Sequence, residues 1–304
     1  MNNLDLSVVI ISWNSEHDLE NCLSSILRQT YIPSEVILVD NASTDGSVQL
    51  VVKKFPNAAI IRNRENIGFA KAVNQGMRRA RSKYILMLNP DTVLKEGALE
   101  KMVAFADSDP KIGIVGPKLV FPDGTVQKEV QRFPTLWPMV FWLFRLHRIP
   151  PFPNLPPLRG FLLRDFDYEK TQEVEHLMGA ALLLRWKMLD EIGLSSQGRW
   201  ASGPFDENFW LWFEETDLEK RAKDAGWKVV YYPKAEVIHQ VGESTRKMNP
   251  FKLQCIWNRS LRCYFKKHRP FWEQVILEPF LWLSFVPLPL FVLGKKVRGI
   301  MVKR

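Results

Sequence analysis

Asp91 follows an apolar run in KYILMLNPDTVL. An ionised carboxylate at the rim of a sheet is a good ligand for a hard cation, and Asn-Pro-Asp also makes a plain turn. Beside a diphosphate, such a cation offsets charge that the protein alone would have to neutralise. Asp40, in SEVILVDNASTDGS, has a similar pair of readings: it caps a turn, or it accepts a hydrogen bond from a base or ribose. His239 closes the run in KVVYYPKAEVIHQ. A single imidazole is a structural group more often than a ligand, yet with one carboxylate it can hold Mg2+ or Mn2+ whose other ligands are substrate phosphates. The loop after it carries Gly242, Ser244, Thr245, Arg246 and Lys247, which suit phosphate oxygens. Glu214, Glu215 and Asp217 open the DLEKRAKDAG segment, where acids answer a helix dipole. Beside Phe209, Trp210, Trp212 and Phe213, a carboxylate can also have a raised pKa and act as a general base. Gly179, Ala180 and Ala181 leave room for close approach of an acceptor, or for close packing.

Such groups act together only if the elements carrying them end at one place. LSVVIISW reads as a buried first strand, and DLENCLSSILRQT puts Leu19, Cys22, Leu23, Ile26 and Leu27 on one helical face. SEVILVD is a second strand and SVQLVVKKF a second helix. A strand around AAIIRN, the glycine-punctuated ENIGFAKAVNQGMRRA helix and the strand YILMLN follow. This alternation predicts an α/β fold with a mostly parallel sheet and helices on both faces, whose ligands bind beyond the carboxyl ends of the strands. One rim then collects Trp13 and Asn14, Asp40 to Asp45, and Asn89 to Asp91. SWNSEHD after the first strand is not a dinucleotide-binding glycine fingerprint, and no GxxxxGK[ST] occurs, which disfavours a nicotinamide enzyme or a P-loop ATPase.

The chain has 304 residues, 46% of them hydrophobic, enough for a sizeable core. Its net charge of +9 is concentrated at one end. From Arg246 onward 13 Lys or Arg face two Glu, a balance of +11, which leaves residues 1–245 at −2. The basic character therefore belongs to the tail, and no nucleic acid partner is expected. PFLWLSFVPLPLFVLG, from Pro279 to Gly294, is short for a spanning helix and carries three prolines. With its basic flanks it reads as a segment lying at an anionic membrane face, or as a carboxy-terminal helix packed on the domain. The Pro- and aromatic-rich stretch 131–167 reads as an insertion of loops or short helices, with FWLF as a candidate lipid contact. Three irregularly spaced Cys and no positive leader before the first apolar run point to a cytoplasmic protein, peripheral on the inner face of the cell membrane.

SVVIISWNS, VILVDNASTDGS, NIGFAKAVNQG, YILMLNPDT, FDENFWLWFEETDLEKRAKDAGW and HQVGESTR, taken in order over about residues 6–247, resemble the family 2 glycosyltransferases of the GT-A type. The branch they resemble is that of bacterial rhamnosyltransferases of surface polysaccharide assembly. The resemblance implies an inverting transfer from a nucleotide diphosphate sugar, with dTDP or UDP the expected base, and a GT-A domain over 1–247, with a nucleotide-binding half at 1–110 and an acceptor and catalytic half at 111–247. The composition of residues 248–304 marks them as a membrane-associating tail, and that tail beside this chemistry leads to the expectation of a saccharide acceptor linked to polyprenyl diphosphate. Asp40 matches the nucleotide-contacting Asp, and Asp91 matches the last acid of a DXD-like motif whose first position here is Asn89. Glu215 matches the catalytic base, and His239 the residue that completes a site for Mg2+ or Mn2+ with Asp91. Ser12, Trp13, Asn14, Asn41, Asp45, Asn66, Gly68, Lys71 and Arg246 join the donor side, and Gly179, Trp212 and Glu214 the acceptor side. Two rivals stand beside this reading: a sugar-phosphate nucleotidyltransferase, and a non-catalytic adaptor using the basic tail on nucleic acid or membrane.

Overall fold

Leu6, Val8, Val9 and Ile10 are fully buried on both faces of the first strand, so the strand needs cover on two sides. The computed structural model describes residues 3–193, 203–240 and 248–286 and supplies that cover. Strands β1 (Asn3–Ser12), β2 (Ile32–Asp40), β3 (Ala59–Arg62) and β4 (Tyr84–Leu88) pair in parallel in the order β3-β2-β1-β4. On one face Leu6, Val8 and Ile10 meet Leu19, Cys22, Leu23 and Ile26 of α1 (Glu16–Leu27) and Leu99 and Met102 of α4 (Ala98–Ser108). On the other lies α3 (Phe69–Arg79), and a methyl group at its Gly76 would overlap Val9, so glycine sets how closely this helix can sit. The short α2 (Ser47–Lys54) completes the alternation expected from the sequence.

The sheet then reverses. β8 (Ala181–Arg185) runs antiparallel to β4 with Leu88 opposite Ala181, and β6 (Ile112–Val120), β9 (Lys228–His239) and β5 (Thr92–Leu94) extend the array. The two-residue β7 (Gln172–Glu173) pairs with β9. Neither β5 nor α4 is apparent from the sequence motifs. The three residues of β5 nevertheless place Thr92 opposite His239. Helices α7 (Trp186–Ile192) and α8 (Glu214–Asp224) flank this half, and Asp217 inside α8 is fully buried and paired with Arg221 at 2.8 Å.

The chain divides into two compact units, residues 1–131 with 165–246, and 132–164 with 247–304. The sheet and its helices form the first. The second contains α5 (Leu136–Leu143), α6 (Pro156–Phe161), α9 (Pro250–His268) and α10 (Phe271–Leu283). Asn249 caps α9 by accepting from Phe251 N at 2.8 Å, with Pro250 at the first helical position, where its missing N–H costs nothing. Asn258 of α9 donates to the carbonyl of Leu281 on α10 at 2.8 Å and to Ser284 Oγ at 3.1 Å, which pins the two helices. Of the FWLF residues Leu143 is buried, while Trp142, half-buried, stacks on His147 and Trp257, and Phe144, half-buried, meets Phe280 edge-on. α10 begins eight residues before Pro279 and runs through it. Among the described residues no helix is long and apolar enough to cross a membrane.

Gly68, at the start of α3, has φ +89°, and Phe69 N donates to Trp210 O at 2.7 Å. A Cβ at Gly68 would lie 2.8 Å from that same carbonyl oxygen. Gly124 has φ +84° with nothing within 4 Å of the corresponding position. Gly124→Ala is therefore expected to cost only the left-handed backbone term of about 1–2 kcal/mol. Gly68→Ala is expected to cost more, because the backbone of Trp210 must also move. Urea denaturation midpoints of both variants check this, and equal losses would remove the contact from the explanation.

Candidate active site

Strand ends bring the donor-side residues together. Ser12 and Asp40 are register partners at the carboxyl ends of β1 and β2. Both are buried, and Ser12 Oγ and Asp40 Oδ1 have no hydrogen-bond partner within the protein. A buried acceptor without a donor is costly, so this pair is suited to a ligand that supplies one. Asp40 Oδ2 accepts from Ser43 N at 3.3 Å, so one oxygen makes the turn while the other stays available. The turn reading of Asp40 is thus seen in one oxygen, and the other oxygen is open to a ligand.

The neighbouring polar residues shape the rim. Asn41 donates to Asn66 Oδ1 at 2.9 Å and to Gly68 O at 3.2 Å, and its own oxygen accepts from Ile67 N and Asn63. Asn14, at φ +53°, accepts from Thr44 N at 2.7 Å. Asp45 accepts from Glu16 N and Ser47 N, at the starts of α1 and α2. Trp13 is half-buried at the same strand end, while Lys71 is exposed on α3. Arg246 lies outside the described residues. Asn74 of α3, which drew no separate notice in the sequence, accepts from Phe205 N and donates to Phe205 O, tying the helix to the segment leading to Trp210.

The β5–β9 ladder sets Asp91 beside His239, with Asp91 Oδ1 3.5 Å from His239 Nε2 and both side chains buried. Gln127 determines the imidazole's tautomer. Its amide nitrogen donates to His239 O at 2.7 Å, so its oxygen faces His239 Nδ1 at 3.0 Å and requires a proton there. His239 Nε2 then turns a lone pair toward a carboxylate oxygen. Two facing acceptors fit a divalent cation between them. Among the described residues no cluster of three or more His, Cys, Asp or Glu surrounds the position, so the pair alone leaves most of a coordination shell to other ligands.

From Asp91 a continuous strip leads to the acid cluster. Asn89 N donates to Ala180 O at 2.8 Å, and a methyl group on Gly179 would lie 3.5 Å from Glu215 Oε1. Glu215 is half-buried with Oε2 unpartnered, and Glu214 beside it is buried with its own Oε2 unpartnered. Burial, then the neighbouring charge of Glu215, pushes the Glu214 carboxyl well above the ordinary range. Asp217, by contrast, is paired with Arg221 in the same helix. Trp212 and Phe213 both have left-handed backbones, φ +67° and +69°, immediately before α8. That double strain sets the helix start where Glu214 and Glu215 emerge.

A second layer of this cluster is absent from the motif reading. His176 Nδ1 lies 2.6 Å from Glu219 Oε2, and Leu177 N donates to Glu219 Oε1 at 3.0 Å, one helical turn beyond Glu215. Burial pushes Glu219 up to about 7 despite the imidazole that favours its charge. Burial opposes charge on His176, but Glu219, its hydrogen bond and Glu215 outweigh it and raise the imidazole above its ordinary value. Glu129 is buried nearby with one oxygen unpartnered, and burial, then the charge of Glu219, push its carboxyl well above the ordinary range. Its signal in the sequence was one acid in the uncharacterised stretch after β6, too little to find it.

Residues 7–170 match the model of the family described as Glycosyl transferase family 2. The chain is 28% identical over 265 residues to N-acetylglucosaminyl-diphospho-decaprenol L-rhamnosyltransferase of Mycobacterium tuberculosis, covering 79% of this chain and 77% of that one. Among solved structures, a mannosyltransferase from Pyrobaculum calidifontis in complex with GDP-Man and Mn2+ aligns with TM-score 0.57 at 18% identity, covering 95% of this chain and 70% of that one. GalNAc-T7 with UDP, GalNAc and Mn2+ aligns with TM-score 0.56 at 18% identity, over 78% of this chain and 44% of that one. These likenesses show a fold of the GT-A type.

His176→Asn leaves Glu219, 0% exposed, without its cation and is expected to cost roughly 3 kcal/mol. Urea midpoints of wild type and variant at pH 8 check this, and equal midpoints would show that the pair carries no such weight.

Proposed function

The chain belongs to glycosyl transferase family 2 and is a nucleotide-sugar-dependent glycosyltransferase, and on that premise we propose an inverting enzyme of cell-surface polysaccharide synthesis. It moves a sugar, rhamnose being the first to test, from a dTDP or UDP sugar to a saccharide hydroxyl on polyprenyl diphosphate. The printed name of the mycobacterial relative supports both the sugar and the lipid-linked acceptor. The chain works at the inner face of the cell membrane, facing the cytoplasm. The observation that carries the catalytic reading is Glu215, half-buried with Oε2 unpartnered and with Oε1 beside Gly179.

In this reading the acceptor hydroxyl sits between Gly179 and Glu215, with Trp212 and Glu214 bordering the space. Glu215 takes the hydroxyl proton as the oxygen attacks the anomeric carbon. The new C–O bond forms on the face opposite the bond to the diphosphate, which breaks with its electron pair, so configuration inverts. Ser12 Oγ donates to the nucleotide and Asp40 Oδ1 accepts from it, with Trp13 and the Asn41–Asn66–Gly68 turn shaping that end. Asp91 and His239 would hold Mg2+ or Mn2+ against the diphosphate. When bound, the cation supplies Lewis-acid stabilisation of the leaving group's charge. Arg246 and Lys71 are the basic side chains assigned to the phosphates.

Glu215→Gln keeps the shape and removes the base, so kcat should fall by about 10²–10⁴-fold with the donor KM nearly unchanged. Steady-state assays with a synthetic lipid-linked acceptor test this, and a Glu215→Gln enzyme of ordinary kcat would assign the base elsewhere. Asp91→Ala should abolish the Mn2+-dependent part of nucleotide binding. Titration calorimetry with UDP and dTDP, with and without Mn2+, reads it out. Metal-dependent binding that survives in Asp91→Ala would sink the assignment of the pair.

A further inference from the structure

α10 is built inside out for a helix exposed to water. Its buried side carries Glu273, Leu277 and Leu281, with Ser284 just past its end. Its outward side carries Phe271, Trp272, Val275, Ile276, Pro279, Trp282 and Leu283, and Val286 continues the same side. At 100° per residue these eight fill a sector of about 140° that contains no polar side chain. Phe271 is 77% exposed, Trp282 69% and Val286 70%. Water-facing helices show the opposite pattern, and a contiguous apolar face of this kind is covered in the working protein.

The adjacent helix says what covers it. α9 contains no acidic residue, and Lys252, Arg259 and Lys266 recur every seven residues, all exposed on one side, with Lys267 exposed next to them. Beyond Val286 the sequence adds Lys295, Lys296, Arg298, Lys303 and Arg304 and no acid. A protein partner would have to offer an apolar groove beside a wide acidic field. A bilayer with anionic headgroups offers both at once, and Trp272 and Trp282 are the side chains that favour its interfacial layer.

We propose that the outward sector of α10, from Phe271 to Val286, inserts into the interfacial layer of an anionic lipid bilayer, to which the exposed basic row of α9 adds long-range attraction. The purpose of this contact rests on the lipid-linked-acceptor reading, but the contact can be tested apart from it. The full chain is sedimented with vesicles of phosphatidylcholine alone and of phosphatidylcholine with phosphatidylglycerol. Wild type is expected to partition at least tenfold better onto the anionic vesicles, with tryptophan fluorescence quenched by brominated chains. Trp272→Ser/Trp282→Ser, at two exposed positions, should lose partitioning about tenfold at any salt concentration. Lys266→Glu/Lys267→Glu should lose only the anionic preference, most clearly at low salt.

Unchanged partitioning of the tryptophan double variant overturns the proposal. So does a wild-type chain that ignores vesicles and instead dimerises in solution through a contact the double variant abolishes, since the cover would then be a second copy. Vesicle binding without turnover of a lipid-linked acceptor would sink the acceptor reading and leave this one standing. Turnover of that acceptor by a chain that does not bind vesicles would do the reverse.

Discussion

The antiparallel pairing of β4 with β8 is the constraint on which the rest of the site depends. Parallel strands deliver their carboxyl ends to one rim, but that rim alone would carry only Ser12, Asp40 and Asn89. By reversing direction next to β4, β8 brings its beginning to the same edge, so that Gly179 and Ala180 arrive beside Asn89. α8 then sets Glu215 against Gly179. The groups proposed for the donor and the proposed base come to one edge because one strand runs the other way, with small residues at its start.

Charge in this region is arranged in layers. Burial pushes the carboxyls of Glu129, Glu214 and Glu219 upward, and His176 lies 2.6 Å from Glu219. Glu215 lies at the more exposed edge of this cluster. Asp217 shows a contrasting arrangement: its carboxylate is paired with Arg221 in the same helix, four residues on. Residues that looked equivalent as a run of acids therefore have distinct surroundings.

Much of the first half of the fold was legible because its strands are apolar on both faces and its helices have clear period. Asp40 and Asp91 were legible because each stands directly after such a strand. The pairing of Asp91 with His239 was not, because it hangs on β5, a three-residue strand with no pattern of its own. Gln127 and the His176–Glu219 pair were missed for a related reason: their partners lie 112 and 43 residues away. In the tail the uncharged run from Pro279 drew notice by composition, whereas the organising property is a sector that begins at Phe271 and becomes visible only on a helix.

On the proposed bilayer contact, the apolar sector of α10 would also change what concentration means for this enzyme. A chain held by that face would meet a lipid-linked acceptor in a plane, where abundance is counted per unit area. Its search would have two dimensions, and the bound fraction would scale with how much membrane is present. For the bound chain, dilution of the acceptor among other lipids would slow the encounter.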